Sequence, residues 1–248
     1  MKYFILLIFF TLIGPAWLFF TNTIDFHADW RTANRESVHI APNPQQTKEA
    51  IIQVYAARAF HWRGLFAVHT WIAIKPKNAL HYTILQLVGW NLYAGLSPLT
   101  IEQNIPDRSW YGQRPKIILD IRNEKAETLI PKILQTAKTY PYPNTYHYWP
   151  GPNSNTFVAY IARQIPELSL ALPPNAIGKD FLPGFTFFAY APSHTGYQIS
   201  LFGILGMTIA RKEGLEINIL GLVFGINPFK LTLALPGIGN LGLLSSCK

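Results

Sequence analysis

The stretch LFAVHTWIAIK, residues 65–75, is the part of the chain that determines its fold class. Its side chains alternate: one face carries Val68, Thr70, Ile72 and Ile74, and the other carries His69, Trp71, Ala73 and Lys75. A period of two is typical of a β-strand whose two faces meet different neighbours. We therefore predict a strand here, with one histidine inside a largely apolar run.

Turn signals on both sides of this strand predict antiparallel neighbours. Trp62-Arg63-Gly64 precedes it and Pro76-Lys77-Asn78 follows it, and such short connections favour hairpins. The flanking apolar runs predict further strands over residues 51–60, 81–89 and 116–121.

Two amphipathic helices are predicted after the last of these strands. Asn123 is a plausible N-cap for the first helix, which Tyr140-Pro141-Tyr142-Pro143 ends. The second helix runs from about Ser154 to Gln164, with apolar residues at helical spacing. The sequence thus predicts an α+β domain over residues 49–172, an antiparallel sheet with two packed helices.

Residues 173–248 have a different texture, with frequent glycine and proline between long apolar runs. The runs 197–210 and 215–224 flank a turn at 211–214, which predicts a hairpin, and residues 229–235 add a strand. Interior glycines break these runs too often for membrane helices. We predict a β-rich C-terminal extension packed on the main domain.

The N-terminus carries an uncharged run of 18 residues, Tyr3 to Phe20. A helix of that length just spans a hydrocarbon core of about 30 Å. Lys2 precedes the run, while Asp25 and Asp29 follow it, which predicts a cytoplasmic N-terminus with the rest of the chain outside.

Two interpretations of this run differ in whether it is removed. A cleavable signal peptide needs a small-residue site, and Thr21 and Thr23 match it poorly, so we favour an uncleaved signal-anchor over residues 1–21. The polar, proline-containing residues 22–48 then form a tether. The expected location is the inner membrane, with a single pass and the domain on the periplasmic side.

Composition excludes several classes of protein. With 49% hydrophobic and 14% charged residues among 248, the chain is not intrinsically disordered. The net charge of +8 is scattered, which argues against nucleic acid and favours anionic lipids or envelope polymers. The single cysteine, Cys247, allows no internal disulfide. No CxxC, HExxH or acidic cluster occurs, so neither a metal site nor a cofactor is predicted.

Chemistry is most plausible at His69 and at the loop Gly151–Val158, which runs directly into the second helix. A serine at a helix N-terminus is exposed to free backbone N–H groups and the positive end of the dipole, so Ser154 is a candidate nucleophile. A histidine from a strand is a candidate general base. The alternative is that Asn153 or Ser154 is only a helix cap and His69 a structural histidine.

Weaker candidates surround this pair. Asn153 and Asn155 are candidate hydrogen-bond donors to a substrate, although asparagine is also common in turns. Tyr148 and Trp149 are candidates to line an apolar or sugar-binding groove, although aromatic residues are ordinarily core material. Arg114 is a candidate to hold an anionic group, or a solvated loop charge.

The order of these motifs resembles the circularly permuted papain-like superfamily, which includes permuted NlpC/P60-type proteins and lecithin:retinol acyltransferase-like enzymes. The resemblance covers about residues 50–165 and implies that His69 is the base, that His81 on the next strand orients it, and that Ser154 is the nucleophile. The superfamily has cysteine where this chain has Ser154. More narrowly, YGQRP at 111–115 and WPGPNSNTF at 149–157 resemble DUF3750, a bacterial family of unknown function.

The sequence therefore favours a membrane-anchored cell-envelope amide or ester hydrolase, or an acyltransferase, with a Ser/His site. The expected substrate is a peptidoglycan peptide or a lipid. The alternative is a catalytically inactive envelope protein that uses the same cleft to bind a peptide, glycan or lipid.

Overall fold

The computed structural model describes residues 2–242, without the side chains of residues 2–8 and 10. Within that range the α-helices are α1 (Lys2–Phe20), α2 (Asn123–Lys138) and α3 (Ser154–Gln164). The strands are β1 (Ile51–Arg58), β2 (Val68–Lys75), β3 (Thr83–Leu87), β4 (Leu99–Gln103), β5 (Lys116–Arg122), β6 (Phe188–Tyr190), β7 (Gly196–Leu201), β8 (Leu205–Ala210), β9 (Gly214–Ile219), β10 (Leu222–Asn227), β11 (Thr232–Leu235) and β12 (Gly239–Gly242). The mixed α+β class with antiparallel sheets is confirmed.

The first sheet contains five strands in the order β4-β3-β2-β1-β5, each antiparallel to its neighbour. The strand expected from Leu65 begins only at Val68, because His61–Leu65 forms a 3-10 helix. The edge strand β4 was not predicted from the sequence. Its outward residues are half-buried or exposed, so its sequence carries only a weak apolar pattern.

Both faces of this sheet are covered. On one face α2 and α3 pack over Ile72, Leu85 and their neighbours, with Phe157 of α3 fully buried. On the other face an aromatic layer forms around Trp71, Tyr55 and Trp110. The helix α3 matches its prediction. In α2 the N-cap position is Arg122, whose side chain makes no capping hydrogen bond, and Asn123 is already the first residue of the helix.

The second sheet is a seven-stranded antiparallel meander, β6 to β12 in chain order. The two runs expected to form one hairpin each fold back on themselves, at turns 202–204 and 220–221. Gly203 and Gly221 have positive φ in those turns, at 72° and 78°, which breaks each run into two strands. The β-rich extension therefore has more and shorter strands than the sequence pattern indicates.

The N-terminal run forms α1, whose last turns pack on the body of the protein through the buried side chain of Leu18. In the part of the chain that the structure describes, no helix combines the length and apolarity needed to cross a membrane. The membrane-spanning role of α1 stays a prediction.

The expected tether at residues 22–48 is held against the domain. The Asp107 carboxylate accepts hydrogen bonds from Ser37 Oγ at 2.7 Å and from the Ile40 and Ala41 N–H groups at 2.6 and 3.0 Å. Residues 37–41 of this segment are therefore hydrogen-bonded to the surface of the domain. Cys247 lies outside the described residues.

Candidate functional site

A cavity of about 340 Å³ opens where β2 begins and β3 ends, beside the N-terminus of α3. Both His69 and Ser154 contribute to its wall, as do Leu220 in a turn of the second sheet and Leu222 at the start of β10. The wall is rich in aromatic side chains, from Phe60, Trp62, Phe66, Trp90, Trp110, Tyr146, Tyr148 and Trp149. The size is in the range of ordinary small-molecule sites, and the lining favours an apolar ligand.

The N-terminus of α3 is closed by a capping box. Asn153 Oδ1 accepts hydrogen bonds from the N–H groups of Asn155 and Thr156 at 3.0 and 3.2 Å, and Thr156 Oγ1 accepts from the Asn153 N–H at 3.2 Å. Asn153 is therefore the cap, and Ser154 is the first residue inside the helix. The serine hydroxyl is not needed to cap the helix.

The amide groups of Asn153 and Asn155 are used within the fold. Asn153 Nδ2 donates to the carbonyl oxygens of Tyr148 and Ile177 at 3.2 and 3.1 Å. Asn155 Nδ2 donates to the Val68 and Ile177 carbonyls at 2.9 and 2.7 Å. Both side chains lie at the cavity wall, but they tie α3 to β2 and to the segment around residue 177, and their donors are taken.

Ser154 lies buried beside Tyr146, with only 3% of its surface exposed. Burial raises the pKa of the Tyr146 phenol, and hydrogen bonds from the side chain and backbone of Ser154 act in the opposite direction. Ser154 thus bonds a phenol that stays protonated at neutral pH. A protonated phenol can accept a hydrogen bond from the serine but is not a general base for it.

His69 points to the face of the first sheet opposite α3. Its neighbour Thr70 donates to Asn155 Oδ1 at 2.9 Å, and Val68 bonds the same residue through its carbonyl, so these two positions meet α3. Because successive side chains of a strand point to opposite faces, His69 joins the aromatic layer. Among the described residues, no direct hydrogen bond joins His69 to Ser154.

The imidazole is enclosed and neutral. Its ring stacks on Trp110, with centroids 3.6 Å apart and planes 6° from parallel, and Nε2 lies 3.1 Å from Gln86 Oε1. Burial lowers the pKa of His69 to about 3, against a small upward contribution from the Gln86 hydrogen bond. With the amide oxygen facing Nε2, that nitrogen carries the proton and Nδ1 carries the lone pair.

His81 does not orient His69. It lies exposed in the connection before β3, and the register pairs Ile74 with Thr83, which places His81 beyond the far end of β2. Seven strand positions, about 23 Å, separate that point from His69. Adjacent antiparallel strands bring the start of one to the end of the other, so the residue that meets His69 is Gln86, near the end of β3.

Tyr148 and Trp149 line the cavity, and Trp149 Nε1 donates to the Leu220 carbonyl at 2.8 Å. Arg114 is exposed and lies outside the cavity wall. The arginine in the wall is Arg63, whose guanidinium carbon lies 4.4 Å from the centroid of the Tyr148 ring. Sequence reasoning treated residues 62–64 only as a turn, and no motif distinguishes Arg63 from other loop arginines.

Comparison with known proteins gives one match. The model of a family described as a protein of unknown function, DUF3750, matches residues 49–181, which include both helices of the first sheet and the cavity residues of α3. No curated protein and no solved structure matches the chain.

Proposed function

This chain belongs to the DUF3750 family, and because that description assigns no activity, we propose from the cavity that the protein binds a ligand with an apolar body and an anionic group. In the cell envelope such a ligand is a lipid. The observation that carries this proposal is an aromatic cavity of about 340 Å³ with one arginine in its wall.

The chemistry of the wall supports both parts of the ligand. Aromatic rings bury a large apolar area and pack against acyl chains or the apolar faces of sugars. Arg63 supplies positive charge, and among the described residues no carboxylate forms an ion pair with it. A guanidinium can bind a carboxylate or phosphate through two parallel hydrogen bonds.

The geometry favours binding over catalysis. A Ser/His hydrolase needs the serine hydroxyl within reach of a base, and here the neutral His69 ring bonds Gln86 on the face opposite α3. The amides of Asn153 and Asn155 are occupied by backbone carbonyls and offer no donor to an oxyanion.

The proposal is tested with a dansylated fatty acid and with the uncharged amide of the same compound. The wild-type chain should bind the acid more tightly. Arg63→Gln should weaken binding of the acid by about tenfold and leave binding of the amide unchanged, because a charge-assisted hydrogen bond is lost. Arg114→Gln, at an exposed arginine outside the cavity, is the matched control and should bind both probes like the wild type. Equal loss of both probes in Arg63→Gln, or no binding by the wild type, would refute the proposal.

A second candidate function is the Ser-dependent amide or ester hydrolase or acyltransferase suggested by the papain-like resemblance. One observation favours it: Asn153 provides the cap, so Ser154 stands at the start of α3 without a capping role and faces the cavity. In this candidate, Ser154 Oγ forms an ester with the substrate acyl group, the bond to the leaving group breaks, and the serine proton passes to that leaving group. His69 would act through intervening water.

We also propose that α1 attaches the protein to a membrane, with the folded part outside the cytoplasm. The support is the charge pattern, Lys2 before the apolar helix and Asp25 and Asp29 after it. Protease added to intact spheroplasts should digest the domain while a cytosolic marker survives. Protection of the domain until the spheroplasts are lysed would reverse the orientation.

A further inference from the structure

The second sheet is built with its polar side inward and its apolar side outward. In the paired strands β8 and β9, Thr208 and Glu216 face inward and are 4% and 3% exposed, whereas their neighbours Met207 and Ile217 face outward and are 41% and 46% exposed. A surface sheet of a soluble protein has the reverse arrangement, apolar toward the core and polar toward water. The outward side of this sheet therefore suits an apolar environment.

The same pattern continues across the neighbouring strands. The outward side chains of β7 and β8 are all apolar or aromatic, and all are at least 41% exposed: Tyr197, Ile199, Leu201, Leu205, Met207 and Ile209. Seven strands at about 4.8 Å spacing and up to six residues in length cover roughly 34 Å by 20 Å. That is an area of at most about 700 Å², at or above the largest apolar patch of a typical soluble monomer, which is about 300–600 Å².

Polarity also changes along the strands. At one end the turns carry exposed apolar residues, with Phe202 43% and Leu220 58% exposed. At the other end they carry Arg211, Lys212 and Lys230, together with one exposed aromatic residue, Phe229 at 71%. Between residues 183 and 242 the only carboxylates are those of Glu213 and Glu216, and both are buried. The surface charge of this sheet is therefore entirely basic, and it lies at one end.

Apart from Phe229, the exposed aromatic residues at the two ends of the strands differ in the same direction. Tyr190 and Tyr197 stack with centroids 5.1 Å apart, and Tyr190 also stacks on His194 in the turn at the basic end. At the apolar end the aromatic residues are phenylalanines, with Phe187 and Phe202 in an edge-to-face pair. Tyrosine prefers the interface between lipid and water, whereas phenylalanine prefers the hydrocarbon.

The apolar helix α1 joins the sheet at its apolar end. At Gly14 the backbone of α1 lies so close to Pro236 and Ile238, in the β11–β12 turn, that no side chain would fit. The helix then presents Trp17 and Phe20 to the outside, with 65% and 79% of their surfaces exposed. The helix α1 thus contacts the sheet at its apolar end and adds exposed apolar side chains there.

We propose that this outward face docks into one leaflet of a lipid bilayer, with the apolar turns in the hydrocarbon and the basic turns at the level of anionic headgroups. A strand of six residues is about 20 Å long, which matches one leaflet and not a whole bilayer. A second copy of the chain is the less suitable occupant. It would bring Arg211 and Lys230 no acidic partner, since the surface charges of the sheet are all basic, whereas anionic headgroups supply the opposite charge.

Docking would also bring the cavity to the membrane. Leu220, in an apolar turn, forms part of the cavity wall and bonds Trp149 through its carbonyl oxygen. A lipid could then enter the cavity directly from the leaflet. Only this consequence depends on the proposed ligand-binding function. The docking itself is tested without ligand, so that the two proposals can fail separately.

The test places an environment-sensitive NBD label at chosen positions of the full-length chain, after Cys247→Ser removes the native thiol. Met207→Cys and Leu220→Cys report on the face and on the apolar turns, and Arg211→Cys reports on the basic end. Leu80→Cys is the matched control, because Leu80 is 60% exposed in the β2–β3 connection of the first sheet. Each protein is reconstituted into phosphatidylcholine–phosphatidylglycerol vesicles, with and without bromine on the acyl chains.

We expect blue-shifted emission and at least twofold quenching by brominated chains at Met207 and Leu220, weak quenching at Arg211, and water-like, unquenched emission at Leu80. Water-like emission at Met207 and Leu220 would show that α1 alone holds the protein at the membrane, and would overturn the proposal. Blue-shifted emission at Met207 without bromine quenching would show that protein covers the face, and would overturn it in favour of a second copy. Since all labelled positions are exposed, labelling should not disturb the fold, which circular dichroism checks.

Discussion

Side chains of different polarity alternate along the strands of both sheets, but the face that is buried is apolar in the first sheet and mainly polar in the second. In the five-stranded sheet both faces are covered by protein, and the inward residues Ile72 and Leu85 are fully buried beneath α2 and α3. In the seven-stranded sheet most of the buried residues are polar, with Val223, Ala210 and Ala234 as the buried apolar ones, and apolar residues such as Met207 and Ile217 remain outside. Alternation identifies a strand, but the surroundings decide which of its two faces is buried.

The inner side of the second sheet is held by charges and amides in place of an apolar core. Lys179 Nζ lies 2.8 Å from Asp180 Oδ1 and 2.7 Å from Glu216 Oε2, and all three side chains are at most 5% exposed. Asn218 Nδ2 donates to Asp180 Oδ2 at 2.9 Å. Burial alone would lower the pKa of Lys179, but the two carboxylates outweigh burial and raise it. The Lys179 ammonium thus links residues 49–181, which the family model matches, to the second sheet.

Removing that ammonium is the change with the largest expected effect. Lys179→Met should lower the free energy of unfolding by about 3–5 kcal/mol, because it leaves Asp180 and Glu216 buried without their cation. Lys132→Met is the matched control: its ion pair with Glu167 at 2.6 Å is about half exposed and should contribute less than about 1 kcal/mol. Urea denaturation of both variants measures the difference. Equal losses would mean that the second sheet does not depend on its buried charges.

Truncating an apolar residue to alanine should also lower the free energy of unfolding by very different amounts in the two sheets. Leu85→Ala in the first sheet should cost about 2–5 kcal/mol, because Leu85 has no exposed surface and leaves a cavity. Met207→Ala on the outward face should change the free energy of unfolding by less than about 0.5 kcal/mol without lipid. The same urea titration compares the two. If Met207→Ala is as costly as Leu85→Ala, the outward face is already covered by protein in solution.

Where local signals were sufficient, the sequence predicted the fold closely. The helix α3 was predicted from Ser154 to Gln164 because a proline-glycine loop, a capping asparagine and helical spacing all lie within a few residues. The strand β2 was predicted from its alternation. Both signals depend only on near neighbours in the chain.

Features that depend on register or on distant partners were not predictable. The papain-like resemblance implied that His81, on the next strand, orients His69, but strand pairing sets which side chains meet, and the one that bonds His69 is Gln86. The orientation of the second sheet depends on Lys179, which is remote in sequence from the strands it bonds. Arg63 reaches the cavity only because a 3-10 helix turns it there.

The buried histidine of the first sheet predicts a pH dependence of the free energy of unfolding. The folded pKa of His69, about 3, lies below its ordinary value of 6.5, so the unfolded chain binds the proton more readily. Above pH 6.5 the protonation of His69 therefore does not change the free energy of unfolding. As the pH falls from 6.5 toward 3, the free energy of unfolding decreases by at most about 1.4 kcal/mol per pH unit.

The variant His69→Phe should flatten this dependence, because a phenylalanine can stack on Trp110 but cannot take up a proton. It should also cost a constant amount, about 1–3 kcal/mol, since Gln86 loses its partner. His81→Gln, at an exposed histidine, is the control and should keep the wild-type slope. Unfolding by urea at several pH values measures both slopes. An unchanged slope in His69→Phe would mean that other groups cause the acid sensitivity.

A small effect on stability is also expected at Ser154, where the two candidate functions differ most. Ser154→Ala should change the free energy of unfolding by less than about 1 kcal/mol, because Asn153 and not Ser154 caps α3. If the site only binds ligand, a fluorophosphonate probe should label neither the wild type nor this variant. If Ser154 is a nucleophile, the probe should label the wild type and the label should disappear in Ser154→Ala.

Ser154→Cys then distinguishes an inactive site from an activated one. It is made in a Cys247→Ser background, with Ser97→Cys on an exposed loop as control. A thiol at a helix N-terminus ionises at lower pH than a free thiol, so faster alkylation at pH 7 at position 154 than at position 97 would indicate an environment able to support nucleophilic catalysis. Equal or slower alkylation, together with an unlabelled wild type, would leave ligand binding as the function of the cavity.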